Sequence, residues 1–307
     1  MIQITKPLIV IVGPTAVGKT ELSVRLTKKL DGEIVSADSR LFYKGMDIGT
    51  AKPTQVEMDG VPHHLINIAE PDDEWSLARY LPRAQDIIND ILARGNIPFL
   101  VGGTGQYVQA VVEGWDLPGI EPDPLLRQIL SEWAAEIGTN GIRSRLEILD
   151  PDAAANIDGP NLRRMVRALE VILSSGKKFS SQKNKKGSMF RILQIGLIRP
   201  REELYQRIDI RIDRMIEEGL IQEVQTLLEA GHSRELSSMS AIGYKQIAAH
   251  LSGEISIDEA IRQIRSKTRK YVRQQANWFK QNDENIKWFS AADDPYKEIL
   301  NEIQHFL

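Results

Sequence analysis

Gly13-Pro-Thr-Ala-Val-Gly-Lys19-Thr20 follows the apolar run Leu8-Ile-Val-Ile-Val12 and precedes a segment with leucines at Leu22, Leu26 and Leu30. The succession predicts strand, tight loop and helix, and the loop fits the phosphate-loop pattern G-x-x-x-x-G-K-[ST]. Gly13 and Gly18 let the backbone turn so that the N–H groups of Pro14-Thr15-Ala16-Val17 and their neighbours cradle phosphate oxygens, proline excepted. The helix N-terminus adds partial positive charge. Lys19 supplies a mobile cation, and the Thr20 hydroxyl suits a magnesium ion carried on phosphate. A chance match in a glycine-rich turn would lack the strand before and the helix after. The stretch predicts a polyphosphate site and leaves the ligand open.

At 307 residues, 42% hydrophobic and 26% charged, the chain is long enough for a well-buried core and for more than one domain. No run approaches the ~18 apolar residues of a membrane span, and Met1 to Lys6 lacks the layout of a signal peptide, so the cytoplasm is the expected compartment. The absence of cysteine excludes disulfides and thiolate metal sites. The histidines are scattered apart from His63-His64, and two adjacent residues rarely point at one ion, so a zinc enzyme is not expected. A net charge of −3 does not call for nucleic acid, but the basic residues are clustered. Between Arg163 and Arg201 the only acid is Glu170, and from Ile261 to Lys280 there is none. Such clusters are often solvated faces; two of them on predicted helices also suit an RNA or DNA partner.

In chain order, Glu33-Ile-Val-Ser36 reads as a second strand delivering Ala37-Asp-Ser-Arg40 at its C-terminal end, the edge where open α/β sheets bind ligands. The bland role for Asp38 is to cap the next turn. Tyr43 to Pro53 is polar, glycine-punctuated and long for a connector. Leu77, Leu81, Ala84, Ile88 and Ile91 recur at helical spacing up to Gly95, with Pro82 expected to kink that helix or to mark its start. Ile97-Pro-Phe-Leu-Val101 is the next strand. In a phosphate-loop hydrolase it would end in an acid; here it ends in Gly-Gly-Thr104, which disfavours NTP hydrolysis. A proline cluster near Trp115 to Pro124 reads as a hinge. Helices over 125–137, 141–149 and 161–175 follow, then a lysine- and serine-rich loop to Ser188, and Arg191 to Ile198 returns as a strand. After Pro200 the pattern is all helix. Leu204, Ile208, Ile212 and Met215 form a buried stripe that leaves Arg207, Arg211 and Arg214 on other faces. Further helices are expected from Leu220 to Ala230 and from Ala241 to Leu251. The last opens with the capping box Ser256-x-x-Glu259 and carries Ile261, Ile264, Tyr271, Gln275 and Trp278; its aromatics could stack on bases, but at this spacing they more often belong to a core. The residues thus predict an α/β core, 1–116 and 190–307, with an α-helical insertion at 117–189.

Several elements together resemble one family, the tRNA dimethylallyltransferases. They are the phosphate loop, Ala37-Asp-Ser39, Tyr43-Lys-Gly-Met-Asp-Ile-Gly-Thr-Ala-Lys-Pro53, Pro62-His-His64, Val101-Gly-Gly-Thr104 with Tyr107, Arg167-Ala-Leu-Glu170, Ile242-Gly-Tyr244, and Thr268-Arg-Lys-Tyr with Arg273-Gln274 and Trp278. They run in family order through nearly the whole chain. The resemblance implies a P-loop NTPase-like parallel sheet flanked by helices, whose loop from Gly13 to Thr20 holds dimethylallyl diphosphate with Mg2+. It implies that the N6 amine of the adenosine just 3′ of the anticodon, flipped into a channel, is the acceptor. Asp38 would take the amine proton, and Lys19, Thr104 and Arg211 would stabilise the leaving diphosphate. Thr20 would be the metal contact. Along the tRNA would lie Asp38, Ser39, Arg40 and Leu41, Thr104, Arg127, the helix residues Arg163, Arg164, Met165, Val166 and Arg167, and the turn Ser240, Ala241, Ile242, Gly243, Tyr244 and Lys245. The insertion and the C-terminal helices would both bind tRNA, and a monomer is expected. A small-molecule kinase would instead need ATP and an arginine-rich lid, whereas the insertion begins acidic. A binding-only RNA protein would leave Asp38 and Thr104 without a task.

Overall fold

A computed structural model describes residues 6–117, 123–182, 184–185 and 187–307. The hinge prolines Pro118 and Pro122, and Lys183 and Lys186 of the first basic cluster, lie outside the described residues. In order the elements are β1 (Pro7–Val12), α1 (Lys19–Lys29), β2 (Gly32–Ser36), the one-turn α2 (Gln55–Met58), β3 (His63–His64), α3 (Leu77–Ala93), β4 (Ile97–Gly102) and α4 (Gly105–Val112). Next come β5 (Trp115–Asp116), α5 (Pro124–Leu149), α6 (Pro151–Asn156), α7 (Leu162–Ser175) and β6 (Asn184–Lys185). The chain continues with β7 (Arg191–Ile198), α8 (Arg201–Glu217), α9 (Leu220–Glu229), α10 (Tyr244–Leu251), α11 (Ile257–Trp278), β8 (Ile286–Ser290) and α12 (Tyr296–Phe306). Two compact units result, Met1–Val112 with Met189–Leu307, and Glu113–Ser188.

The first unit holds a six-stranded sheet in the order β3-β2-β4-β1-β7-β8, every pair parallel. Leu8 to Val12 are fully buried, which is why β1 reads as an unbroken apolar run: a parallel strand is covered on both faces. Each such side chain contributes about 1.5–3 kcal/mol of transfer free energy. Ser76 caps α3 by accepting the Arg79 N–H, so Pro82 lies inside the helix and does not mark its start. The tail after Pro200 is not all helix, because β8 adds an edge strand beside β7. Its short Ile-Lys-Trp-Phe-Ser sequence carries no long apolar run, and its place depends on Gly196 of β7. A Cβ there would lie 2.5 Å from the Trp288 ring.

In the second unit Trp115–Asp116 pairs antiparallel with Asn184–Lys185, and this ladder carries the unit boundary back from the proline cluster to Glu113. Gly138 leaves helical geometry (φ 72°, ψ 172°) and divides α5. Leu130, Ile142, Leu146, Met165 and Leu169 are the centre of its core. Asn161 caps α7 and Gly176 ends it in the left-handed region.

Candidate active site

The strand order β2-β4-β1-β7 brings the C-terminal ends of these strands to one edge of the sheet, with the end of β2 about 10 Å from that of β1, two strand spacings away. The phosphate loop leaves β1 here, and Gly18 takes φ 112°, a conformation open to glycine at little cost. Lys19 Nζ donates to the carbonyls of Gly13 and Pro14, each at 2.9 Å. Burial pulls the Lys19 ammonium down to about 8, with Asp38 opposing that shift and Arg211 adding to it. Arg211 is also enclosed: burial lowers its guanidinium against the pull of Asp38, and Nη2 lies 3.5 Å from the Ala51 carbonyl. The periodicity of α8 had set Arg211 apart from the buried stripe, yet it faces the loop; Met215, assigned to that stripe, is only half-buried. Arg207 Nε donates to the Ala16 carbonyl at 2.8 Å. Two half-buried cations thus share Asp38, with Glu57 acting on Arg211 and Arg207 adding a third positive charge, which leaves the site short of negative charge.

Asp38 sits just past β2. Its Oδ1 accepts the Arg40 N–H at 3.0 Å, so Asp38 caps the turn. Thr104 follows β4, with Oγ1 3.5 Å from the Ser39 nitrogen. The Tyr271 hydroxyl lies beside Thr104 and Gln275, and burial pushes that phenol up to about 12. Gln275 Oε1 accepts the Thr15 N–H at 2.9 Å, and its Nε2 donates to the Gly103 carbonyl at 2.9 Å.

Arg40 joins the Asp38–Leu41 turn to the segment before α10: Nη1 donates to the Ser237 carbonyl at 2.9 Å and Nη2 to Ser240 Oγ at 3.3 Å. The helix expected from Ala241 begins only at Tyr244, because Gly243 takes φ 102° and breaks the preceding turn. The Tyr43–Pro53 segment is held by two charged side chains. Glu223 accepts the N–H groups of Asp47, Ile48 and Gly49 and the Tyr244 hydroxyl at 2.5 Å. Lys52 donates to the Tyr43 carbonyl, Asp47 Oδ1 and Asn67 Oδ1, each at 2.6 Å. His64 Nε2 meets the buried Glu33 carboxylate at 2.6 Å, a structural contact at the start of β2.

Arg127 and the residues Arg163 to Arg167 belong to the second unit. Arg163 is exposed, but Met165 and Val166 are buried in that unit's core because α7 turns its apolar face inward. Arg127 grips Glu170 through Nε and Nη2 at 3.0–3.2 Å, and Arg167 Nη1 reaches the same carboxylate at 3.0 Å. Ala241, Gly243 and Tyr244 are buried in the first unit, whereas Lys245 is exposed. The α11 stripe divides: Phe279 is buried, Tyr271 half-buried and Trp278 exposed, its ring against Gly105. The basic cluster of α11 has acids after all. Arg265 meets Asp213, and Arg269 meets Asp209 at 2.5 Å, both supplied by α8.

Among the described residues no three His, Cys, Asp or Glu side chains gather to hold a metal. The donor set fits magnesium only as an ion arriving with phosphate oxygens, with the exposed Thr20 hydroxyl as one protein ligand. Gln275, Glu223 and Arg207 had no functional place in the sequence reading. Each acts on a backbone group of a segment far away in the chain, and no periodicity signals that.

The family model described as IPP transferase matches residues 41–282, and that described as isopentenyl transferase matches residues 6–67. A tRNA dimethylallyltransferase of Roseiflexus sp. (strain RS-1) is 50% identical over 98% of this chain and 99% of its own length. The solved tRNA isopentenylpyrophosphate transferase of Bacillus halodurans superposes with a TM-score of 0.73 at 43% identity, over 98% of this chain and 96% of that one. A eukaryotic dimethylallyltransferase solved acting on tRNA superposes with a TM-score of 0.82 at 28% identity, over 97% of this chain and 78% of that one. The likeness runs unbroken from the phosphate loop through the Asp38 turn to the α11 residues that brace it, and this chain belongs to the tRNA dimethylallyltransferase, or IPP transferase, family.

Proposed function

We propose that this protein transfers a dimethylallyl group from dimethylallyl diphosphate to the N6 amine of the adenosine immediately 3′ of the anticodon in tRNA, releasing diphosphate. The observation that carries the reading is the pair of half-buried cations, Lys19 and Arg211, gathered beside Asp38 at the phosphate loop, with Arg207 adding positive charge and Glu57 acting on Arg211 alone. A diphosphate supplies the missing negative charge, and its binding between Lys19, Arg211 and the loop N–H groups prepares the C1–O bond to break. As the C1–O bond breaks and the C1–N6 bond forms, the diphosphate leaves with the bonding pair and Asp38 takes the amine proton, so that N6–H is exchanged for a carboxyl O–H. Thr104 orients the amine or the departing oxygen. Magnesium would neutralise charge on the diphosphate when bound, with Thr20 as its protein ligand.

The acceptor side is the Asp38–Leu41 turn, locked by Arg40 to the segment ending in Lys245. The contacts with tRNA fall to side chains that reach solvent, Arg163, Arg164 and Lys245 foremost; Met165, Val166 and Tyr244 shape the surface from beneath. The second unit and the helices after β7 both carry tRNA contacts, and the enzyme works as a single chain in the cytoplasm, where its acceptor is. A kinase or a binding-only protein finds no support in relatives that match end to end. The test is to incubate the protein with magnesium, labelled dimethylallyl diphosphate and unmodified tRNA bearing that adenosine. Label in the RNA is expected; ATP turnover with unlabelled RNA refutes the reading.

A further inference from the structure

We propose that Gln275 is the positioning residue of the donor site, an amide on α11 that fixes the phosphate loop against the end of β4; this rests on the transferase reading above. Its Oε1 accepts the Thr15 N–H and its Nε2 donates to the Gly103 carbonyl, both at 2.9 Å, across 260 and 172 residues of chain. Gln275 is 3% exposed and its bond to the Gly103 carbonyl is buried, so that carbonyl has no water as a substitute partner, while the bond from Thr15 is part-buried. The job demands an amide: a carboxylate cannot donate to Gly103, an ammonium cannot accept from Thr15, and asparagine is one methylene shorter. Gly103 is cut to fit it, since a Cβ there would lie 2.4 Å from Gln275 Nε2.

The clamp decides which loop N–H groups face the diphosphate. Thr15 is inside the cradle sequence, and its N–H is committed to Gln275. The Val17 N–H is turned to the Pro14 carbonyl and Lys19 rests on the carbonyls of Gly13 and Pro14, so the N–H groups left to the ligand lie in an orientation set by where α11 holds Thr15. Tyr271, one turn earlier on α11, lies beside both Thr104 and Gln275. One face of one helix therefore holds the phosphate loop against the end of β4, with Tyr271 beside Thr104.

The test compares Gln275→Ala, Gly103→Ala and their combination with wild type. Calorimetry reads binding of inorganic pyrophosphate with magnesium, and steady-state assays read KM for dimethylallyl diphosphate and for tRNA separately. Gln275→Ala is expected to weaken pyrophosphate binding and raise the donor KM about 10-fold, the worth of one misplaced hydrogen-bonding group, with the tRNA KM within about 2-fold. Gly103→Ala displaces the same amide and should give the same loss, and the double variant should be no worse than either single one. If Gln275→Ala does not fold, Gly103→Ala carries the test alone. Unchanged pyrophosphate binding and donor KM in either variant, or multiplied losses in the double variant, overturn the proposal. Pyrophosphate binding needs no transfer, so an inactive wild type would sink the transferase reading while leaving the clamp measurable.

Discussion

Replacing Arg127 with alanine should be felt first as lost stability and only second as lost tRNA affinity. Glu170 is fully buried and accepts the Asp123 N–H at 2.9 Å, the Arg127 fork at 3.0–3.2 Å and Arg167 at 3.0 Å. Burial alone would raise this carboxyl; the bonds from Arg167 and Arg127 outweigh it, and the Glu170 pKa is lowered. Breaking a buried ion pair from one side costs about 3–5 kcal/mol when the survivor is left alone. Here Arg167 and Asp123 stay, and the Arg127 side chain is 38% exposed, so the cost is discounted to about 2 kcal/mol. For a unit the size of Glu113–Ser188 that is a fall of roughly 10 °C in melting temperature. Arg163→Ala is the contrast. That residue is exposed, so stability should stay within about 0.5 kcal/mol, while the log–log salt slope of tRNA binding should fall by about 0.7–0.9. Calorimetric melting and tRNA binding between 50 and 200 mM salt, both on the full chain, separate the two effects. An Arg127→Ala protein that melts with wild type yet loses as much salt slope as Arg163→Ala would show Arg127 to be a free phosphate ligand, and the hub argument would fail.

Asp38→Asn keeps the turn's acceptor oxygen but cannot take a proton, and should lower turnover at least ~10²-fold with tRNA affinity intact; near-normal single-turnover rates would exclude Asp38 as the base. Glu33 is pushed up by burial, but bonds from Arg94, Asn96 and His64 win and hold it down to about 2. Its stabilising effect is therefore complete above the ordinary carboxyl value of 4.5 and is lost as pH falls from there toward about 2, so Glu33→Gln should flatten that limb of a pH series of urea melts. Gly49→Ala puts a Cβ 2.5 Å from the Tyr244 ring, which should cost about 1–3 kcal/mol and loosen the segment running to Lys245; an unaltered melt and tRNA affinity would mean that Tyr244 moves aside freely.

The parts of this fold that announce themselves in sequence are those whose cause is local. The apolar run at β1, the glycines of the loop and the stop at Gly176 each act within a few residues, and the structure has them where the spacing puts them. β8 escaped because its partner is β7, about ninety residues earlier, and because an edge strand of five residues needs no unbroken apolar pattern. Arg211 was set beside the diphosphate by the family resemblance and not by its spacing, for a related reason. Helical period separates the apolar face from the rest, but it cannot tell a solvent-facing arginine from one that closes over a charged site. Only the approach of α8 to the phosphate loop makes the difference.

The same reasoning narrows the electrostatic footprint offered to tRNA. By count, the stretch from Ile261 to Lys280 is wholly basic, and every cation in it would suit a phosphate. In the folded protein Asp209 and Asp213 of α8 engage Arg265 and Arg269, and Arg262 meets Glu259 one turn earlier on α11. Lys267 and Lys270 remain exposed. An arginine already held by a carboxylate must give up that bond before it can grip a phosphate, so its net gain on binding is small, whereas an exposed lysine releases counterions at little cost. Charge reversal at Lys267 or Lys270 should therefore change the salt slope more than neutralising Arg265 or Arg269, whose loss acts through the packing of α11 on α8 and hence on the Gln275 clamp one to three turns further along the same helix.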